Sequence, residues 1–375
     1  MHTMSPALYD LSPVLRLLLV GGVLTAVPLL WVLLRHRRTS PMGRYQALTV
    51  VTLFLTFDLV LFGAFTRLTD SGLGCPDWPG CYGSASPLGA KEAIATAQAA
   101  MPTGPVTHGK AWVEMVHRYL ATGVGGLILV LAVSAWLGRK SYLQQPRVSP
   151  WLPTFTLVWV CVQGAFGALT VTMRLFPAIV SLHLLGAYLL LALLTVQVVR
   201  NGGMAAVVPS WVKPWAVAAL TMLVLQAASG AWVSTNYAVL ACTEFPMCQG
   251  SWWPAMDFGG ALELWRPLGV GQDGGHISFQ ALTAIHFAHR LLALVTVLLL
   301  ARLAWRLRAV PALRAPARWL GGLLLLQVAT GLSNVVLDWP LLAAVLHTGG
   351  AGAMLVSLVW TLSLAGQPPL NGKTE

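Results

Sequence analysis

Charge is what this chain has least of. Only 9% of its 375 residues are Asp, Glu, Lys or Arg, against roughly a quarter in a soluble protein. With 57% hydrophobic residues and a mean hydropathy of +0.72, a fully solvated surface is excluded and the chain reads as a polytopic membrane protein. The glycine fingerprints of Rossmann and P-loop sites are missing as well, so soluble nicotinamide or ATP chemistry is unsupported. Cysteines number five, and their spacing fits no common zinc or c-type heme motif.

What the chain does have is long apolar runs. About 20 apolar residues cross a hydrocarbon core about 30 Å thick, and nine runs meet that length, near 14–34, 46–67, 111–137, 151–173, 178–200, 212–234, 279–301, 317–337 and 340–364. Basic residues collect in cytoplasmic loops. One set of connections carries Arg35, Arg37, Arg38 and Arg44, then Arg139, Lys140 and Arg147, then Arg200 and Lys213, then Arg302, Arg306, Arg308, Arg314 and Arg318. That set is read as cytoplasmic, which places the C-terminus inside and the long loops near 68–110 and 235–278 outside. The net charge of +11 reflects this asymmetry and gives no reason to invoke nucleic acid. The first run is followed by its charges and shows no small-residue cleavage site, so it is read as a retained helix.

The rest is a duplication. Gly63-Ala64 and the pair Cys75, Cys81 recur 167 residues later as Gly230-Ala231 and Cys242, Cys248; Gln163 and His183 recur 164 later as Gln327 and His347. The expected architecture is all-α, with two tandem four-helix halves related by a pseudo-two-fold along the membrane normal and one extra N-terminal helix. Residues 1–45 form that helix and its linker, 46–200 the N-terminal half and 201–375 the C-terminal half. Small residues follow each glutamine in Gln163-Gly-Ala-Phe-Gly167, Gln226-Ala-Ala-Ser-Gly230 and Gln327-Val-Ala-Thr-Gly331, a pattern that lets helices approach closely and leaves an amide to bond across the contact or to a cofactor.

Four histidines carry the chemistry. His117 and His183 in the first half match His289 and His347 in the second, all about 8–15 Å inside their helices from the outer end. Ionisable groups in a bilayer tend to mark function, and two facing imidazoles can clamp a heme iron. Hydrogen-bonded core histidines and a proton relay are the alternatives. Glu114 lies one turn from His117, and its equivalent is His286, so the halves are not chemically equal. A carboxylate there can move a proton or stabilise positive charge, or it can neutralise Arg118. Arg118 and Arg290 follow their histidines directly and are candidates for heme propionate contacts. The loop cysteines on the oxidising side are read as two disulfides, Cys75–Cys81 and Cys242–Cys248, either structural or redox-active; Cys161 is read as packing.

Thr66-Arg-Leu-Thr-Asp-Ser-Gly-Leu-Gly-Cys-Pro-Asp-Trp-Pro-Gly-Cys81, Glu114-Met-Val-His-Arg118, the His289-Arg290 pair and the late His347 resemble the heme A synthase family across about residues 46–364. The resemblance implies an oxidoreductase that converts a ring methyl of heme O to a formyl group in two successive oxidations. It places the substrate heme on His117 and His183 beside Glu114, and a heme b cofactor on His289 and His347. It further implies a bacterial inner-membrane location with the histidines toward the periplasm, a heme O synthase as supplier and an electron acceptor that the sequence does not name. Family members usually have eight spans, so the first helix is extra. A diheme b-type electron carrier linked to quinol and a heme transporter or chaperone stay open as other readings.

Overall fold

The computed structural model of the protein describes residues 12–138, 149–271 and 274–366, all helix, turn and loop, with no β-strand among them. Arg139, Lys140 and Arg147 of the basic set lie outside the described residues. Nine of the described helices are long and apolar enough to cross a membrane. They are α1 Ser12–Arg35, α2 Pro41–Leu68, α3 His108–Leu137, α4 Trp151–Thr172, α5 Pro177–Asn201, α6 Val212–Thr235, α7 Phe279–Leu307, α8 Arg314–Val336 and α9 Leu341–Ala365.

Local chemistry sets several ends beyond the apolar runs. α2 begins about five residues before its apolar run because the Ser40 hydroxyl accepts from Gly43 N at 3.1 Å and Pro41 occupies the first turn, where a missing N–H costs nothing. Thr107 caps α3 by accepting from Lys110 N at 3.2 Å, and Ser278 caps α7 by accepting from Ala281 N at 3.1 Å. α7 continues past residue 301 to Leu307 because its basic last turns find aromatic partners: the Arg306 guanidinium lies 4.0 Å over the Trp211 ring, a favourable cation–π contact.

Lipid is as apolar as leucine, so these helices associate through close packing and hydrogen bonds more than through the hydrophobic effect. In the first half α2 packs on α3 and α5, and α4 packs on α3 and α5; in the second α6 packs on α7 and α9, and α8 packs on α7 and α9. The contact between the halves is reciprocal: α2 meets α9, α5 meets α6, and α5 meets α9. Leu191, Ala216, Leu300, Leu303 and Leu358, all fully buried, join both halves in one apolar core. α1 lies against α3, with a lesser contact to α2. Glycines bring it close: a Cβ at Gly126 would stand 2.1 Å from Thr25 Oγ1, and that hydroxyl lies 3.0 Å from the Gly123 carbonyl.

Candidate active site

The duplicated halves place their histidines at one end of the bundle, in the N-terminal turns of α3, α5, α7 and α9. His117 and His183 are within Coulombic reach of each other, as are His289 and His347. All four rings are only part-buried and line one apolar cavity of about 1530 Å³ that both halves share, larger than the roughly 300–1,000 Å³ of a single small-molecule site. His286 is more deeply buried, at 3% exposed, and also borders the cavity.

Each histidine rests on a glycine of the helix that precedes its own. A Cβ on Gly63 would lie 3.1 Å from His117 Cε1, on Gly230 3.0 Å from His289 Cε1, on Gly331 3.1 Å from His347 Cε1 and on Gly167 3.6 Å from His183 Cε1. The glutamines of the repeat stand beside these contacts. Gln327 donates to the His347 carbonyl at 2.7 Å, and its amide fills the space that a Cβ on Gly350 would take. Gln163 fills the corresponding space at Gly186. The small-residue pattern therefore serves both close packing and the anchoring of a histidine helix.

The halves differ at Nδ1. In the second half the Ser229 hydroxyl is 2.8 Å from His289 Nδ1, and the Thr330 hydroxyl is 3.0 Å from His347 Nδ1. In the first half the Nδ1 atoms of His117 and His183 are buried with no partner, and Phe62 lies nearly parallel to the His117 ring at 6.2 Å. Sequence reasoning passed over Ser229 and Thr330, although both precede a glycine in the glutamine pattern where Phe166 stands in the first half.

Both cysteine pairs are bonded, with Cα–Cα separations of 4.9 Å, and all four residues are fully buried. The arginines after the histidines hold these loops. Arg118 donates to the carbonyls of Gly80 at 2.6 Å, Asp77 at 3.0 Å and Pro79 at 3.2 Å. Arg290 donates to those of Cys242 at 2.7 Å, Glu244 at 2.8 Å and Met247 at 3.2 Å. Loop carbonyls therefore take several donors of each guanidinium, and both arginines also border the cavity. Glu114, 4% exposed, pairs with Arg118 and accepts from Cys75 N at 2.8 Å, yet it also borders the cavity. In the second half Arg290 Nε donates to His286 Nε2 at 3.3 Å. The same i,i+4 contact is thus an ion pair in one half and a neutral acceptor in the other. Cys161 corrects an expectation: its thiol is free and exposed on α4 rather than packed.

The residues fit a heme. Among the described residues no group of three or more His, Cys, Asp or Glu is placed to hold a bare metal ion, so a two-histidine site needs a macrocycle to complete the coordination, and apolar walls suit such a ring. Comparison with known proteins points the same way. The chain is 40% identical over 313 residues to a heme A synthase of Shewanella oneidensis, covering 82% of this chain and 93% of that one. It is 30% identical over 326 residues to one from Symbiobacterium thermophilum, with 82% and 91% covered, and 26% identical over 338 residues to one from Halalkalibacterium halodurans, with 87% and 95% covered. The profile of the cytochrome oxidase assembly proteins matches residues 46–359, from α2 into α9 with α1 outside; paired histidines, cysteine loops and duplicated halves all fall within that stretch, and the chain belongs to the COX15-CtaA family.

Proposed function

We propose that this chain is a heme A synthase that oxidises a ring methyl of heme O to a formyl group in two successive two-electron steps. The observation that carries the reading is a duplicated bis-histidine cavity with a carboxylate, Glu114, beside only one of the two pairs. The whole-length likeness to proteins named heme A synthase supports it.

His117 and His183 hold the substrate heme by its iron and fix where its periphery lies against α2 to α5. His289 and His347 hold the heme b cofactor. When bound, heme b supplies a place for electrons leaving the substrate. Converting a methyl to a formyl group with oxygen from water releases protons as well as electrons, and Glu114 is the cavity-lining carboxylate placed to accept them. The Arg118 guanidinium and Cys75 N–H hold its two oxygens in place, and negative charge there stabilises positive charge developing on the substrate carbon. A separate acceptor would take up those electrons, and a heme O synthase would supply the substrate. The basic end of the bundle faces the cytoplasm with the C-terminus, and the histidine end faces the periplasm across a bacterial inner membrane.

Glu114→Gln keeps an acceptor for Cys75 N–H and removes the charge. In cells that make heme O, the variant is expected to keep the cofactor heme spectrum while heme A, measured by chromatography and mass spectrometry, falls at least about 100-fold. Wild-type heme A in that strain eliminates the role of Glu114. Absence of heme A with the intact protein overturns the synthase reading.

A further inference from the structure

The two halves present chemically different second partners to otherwise matched histidines. Ser229 Oγ donates its one hydrogen to the Gln226 carbonyl at 2.8 Å, and Thr330 Oγ1 donates its own to the Leu326 carbonyl at 2.7 Å. With that hydrogen spent, each hydroxyl faces Nδ1 as an acceptor. His347 therefore carries the proton on Nδ1 and keeps the Nε2 lone pair for a metal. His289 takes the same tautomer when the Gln226 amide, 3.1 Å from Nδ1 and 3.3 Å from Nε2, turns its otherwise unpartnered oxygen to the ring. A bond from Nδ1–H to an acceptor orients the ring and raises its basicity as a ligand. Phe62 stands 167 residues before Ser229, and Phe166 stands 164 before Thr330, the same offsets that relate the halves. Neither phenylalanine offers an acceptor, and Nδ1 of His117 and His183 is buried without a partner.

We propose that Ser229 and Thr330 are positioning residues that make the C-terminal half the retaining heme site, while Phe62 and Phe166 leave the N-terminal half weaker in ligation and able to release its heme. The inference rests on the assignment of cofactor and substrate to the two halves made above, and it supplies a physical basis for it. A cofactor has to stay, whereas a substrate must enter and a product must leave through the same pair of ligands. An Nδ1–H in a ligated imidazole there is a buried donor left unsatisfied, and that cost falls on the loaded state of the N-terminal half alone.

The test uses the full chain in detergent, loaded with its cofactor heme, with apomyoglobin as the heme scavenger. Ser229→Ala and Thr330→Val are each expected to speed heme transfer by about tenfold or more and to raise the midpoint potential of the cofactor heme, because a less basic ligand stabilises the ferric state less. Ser229→Thr is expected to restore both. In the other half, Phe62→Ser installs an acceptor beside His117 and is expected to raise the amount of heme retained above wild type. Wild-type transfer rate and potential in both Ser229→Ala and Thr330→Val overturn the inference, as does unchanged retention in Phe62→Ser. His289→Ala separates this from the assignment beneath it. If that variant keeps its heme, the assignment fails; if it loses the heme while Ser229→Ala behaves as wild type, only the present inference fails.

Discussion

At three of the four paired histidines, a single added methyl group would displace the ring. Gly63, Gly230 and Gly331 leave 3.0–3.1 Å between an added Cβ and the histidine ring, whereas Gly167 leaves 3.6 Å beside His183. The first three distances are shorter than a carbon–carbon contact of about 3.5–4.0 Å, so an alanine must push the imidazole; the fourth is an ordinary contact. Gly230→Ala and Gly331→Ala are expected to lower the heme content of the purified protein several-fold, and Gly167→Ala to leave it near wild type, as read by the pyridine hemochrome assay. Equal loss in all three would show that ring displacement is not the cause. The histidines themselves were legible from the chain because duplication repeats them. Their partners were not. Ser229 reaches His289 across 60 positions only because α6 crosses α7, and spacing along one strand of sequence carries no sign of that crossing.

At the scale of elements, the outer loops are built around the arginines that follow the histidines. Three carbonyls of each loop turn inward to one guanidinium, and the disulfide closes the same turn. An arginine is suited to this because its fork presents several donors at once, where a lysine presents a point charge. The loop is thereby seated on the helix that carries the histidine. Both sulfur pairs are fully buried, which favours a staple over an exchanging pair. Folded protein treated with dithiothreitol and an alkylating agent is therefore expected to show labelling at Cys161 alone, with Cys75, Cys81, Cys242 and Cys248 labelled only after denaturation. Rapid labelling of either pair in the folded state would instead support electron exchange through it. Cysteine spacing announced the pairs; the arginine clamp depends on a loop folding back about 40 residues onto a helix, which no local pattern encodes. α1 is a similar case. Its apolar run marks it as a span, but only the packing brings Gly21 and Thr25 to the wall of the N-terminal half of the cavity.

On the scale of the whole molecule, the two halves meet where the repeat brings equivalent positions together. Arg67 and Ser234 are 167 apart, as are Asp70 and Tyr237, and the four form one latch at the histidine end. Arg67 donates to the Ser234 carbonyl at 2.5 Å, the Tyr237 hydroxyl donates to Asp70 at 2.6 Å, and the Arg67 guanidinium lies 4.3 Å over the Tyr237 ring. Burial pushes the Tyr237 phenol above its ordinary value, the bond to Asp70 adds to that rise, and Arg67 opposes it. A raised folded value means that the bound proton stabilises the folded protein below the unfolded value of about 10, and that this contribution is lost as pH climbs through the raised one. Tyr237→Phe keeps the ring under Arg67 and removes the hydroxyl, so it loses about 1–2 kcal/mol. The thermal midpoint of the detergent-solubilised protein is expected to drop by about 2–4 °C. That deficit should hold steady from about pH 6 to 9 and shrink above about pH 10 as the wild-type phenol ionises. A deficit that grows with pH, or none at any pH, would remove the hydroxyl from the contact between the halves.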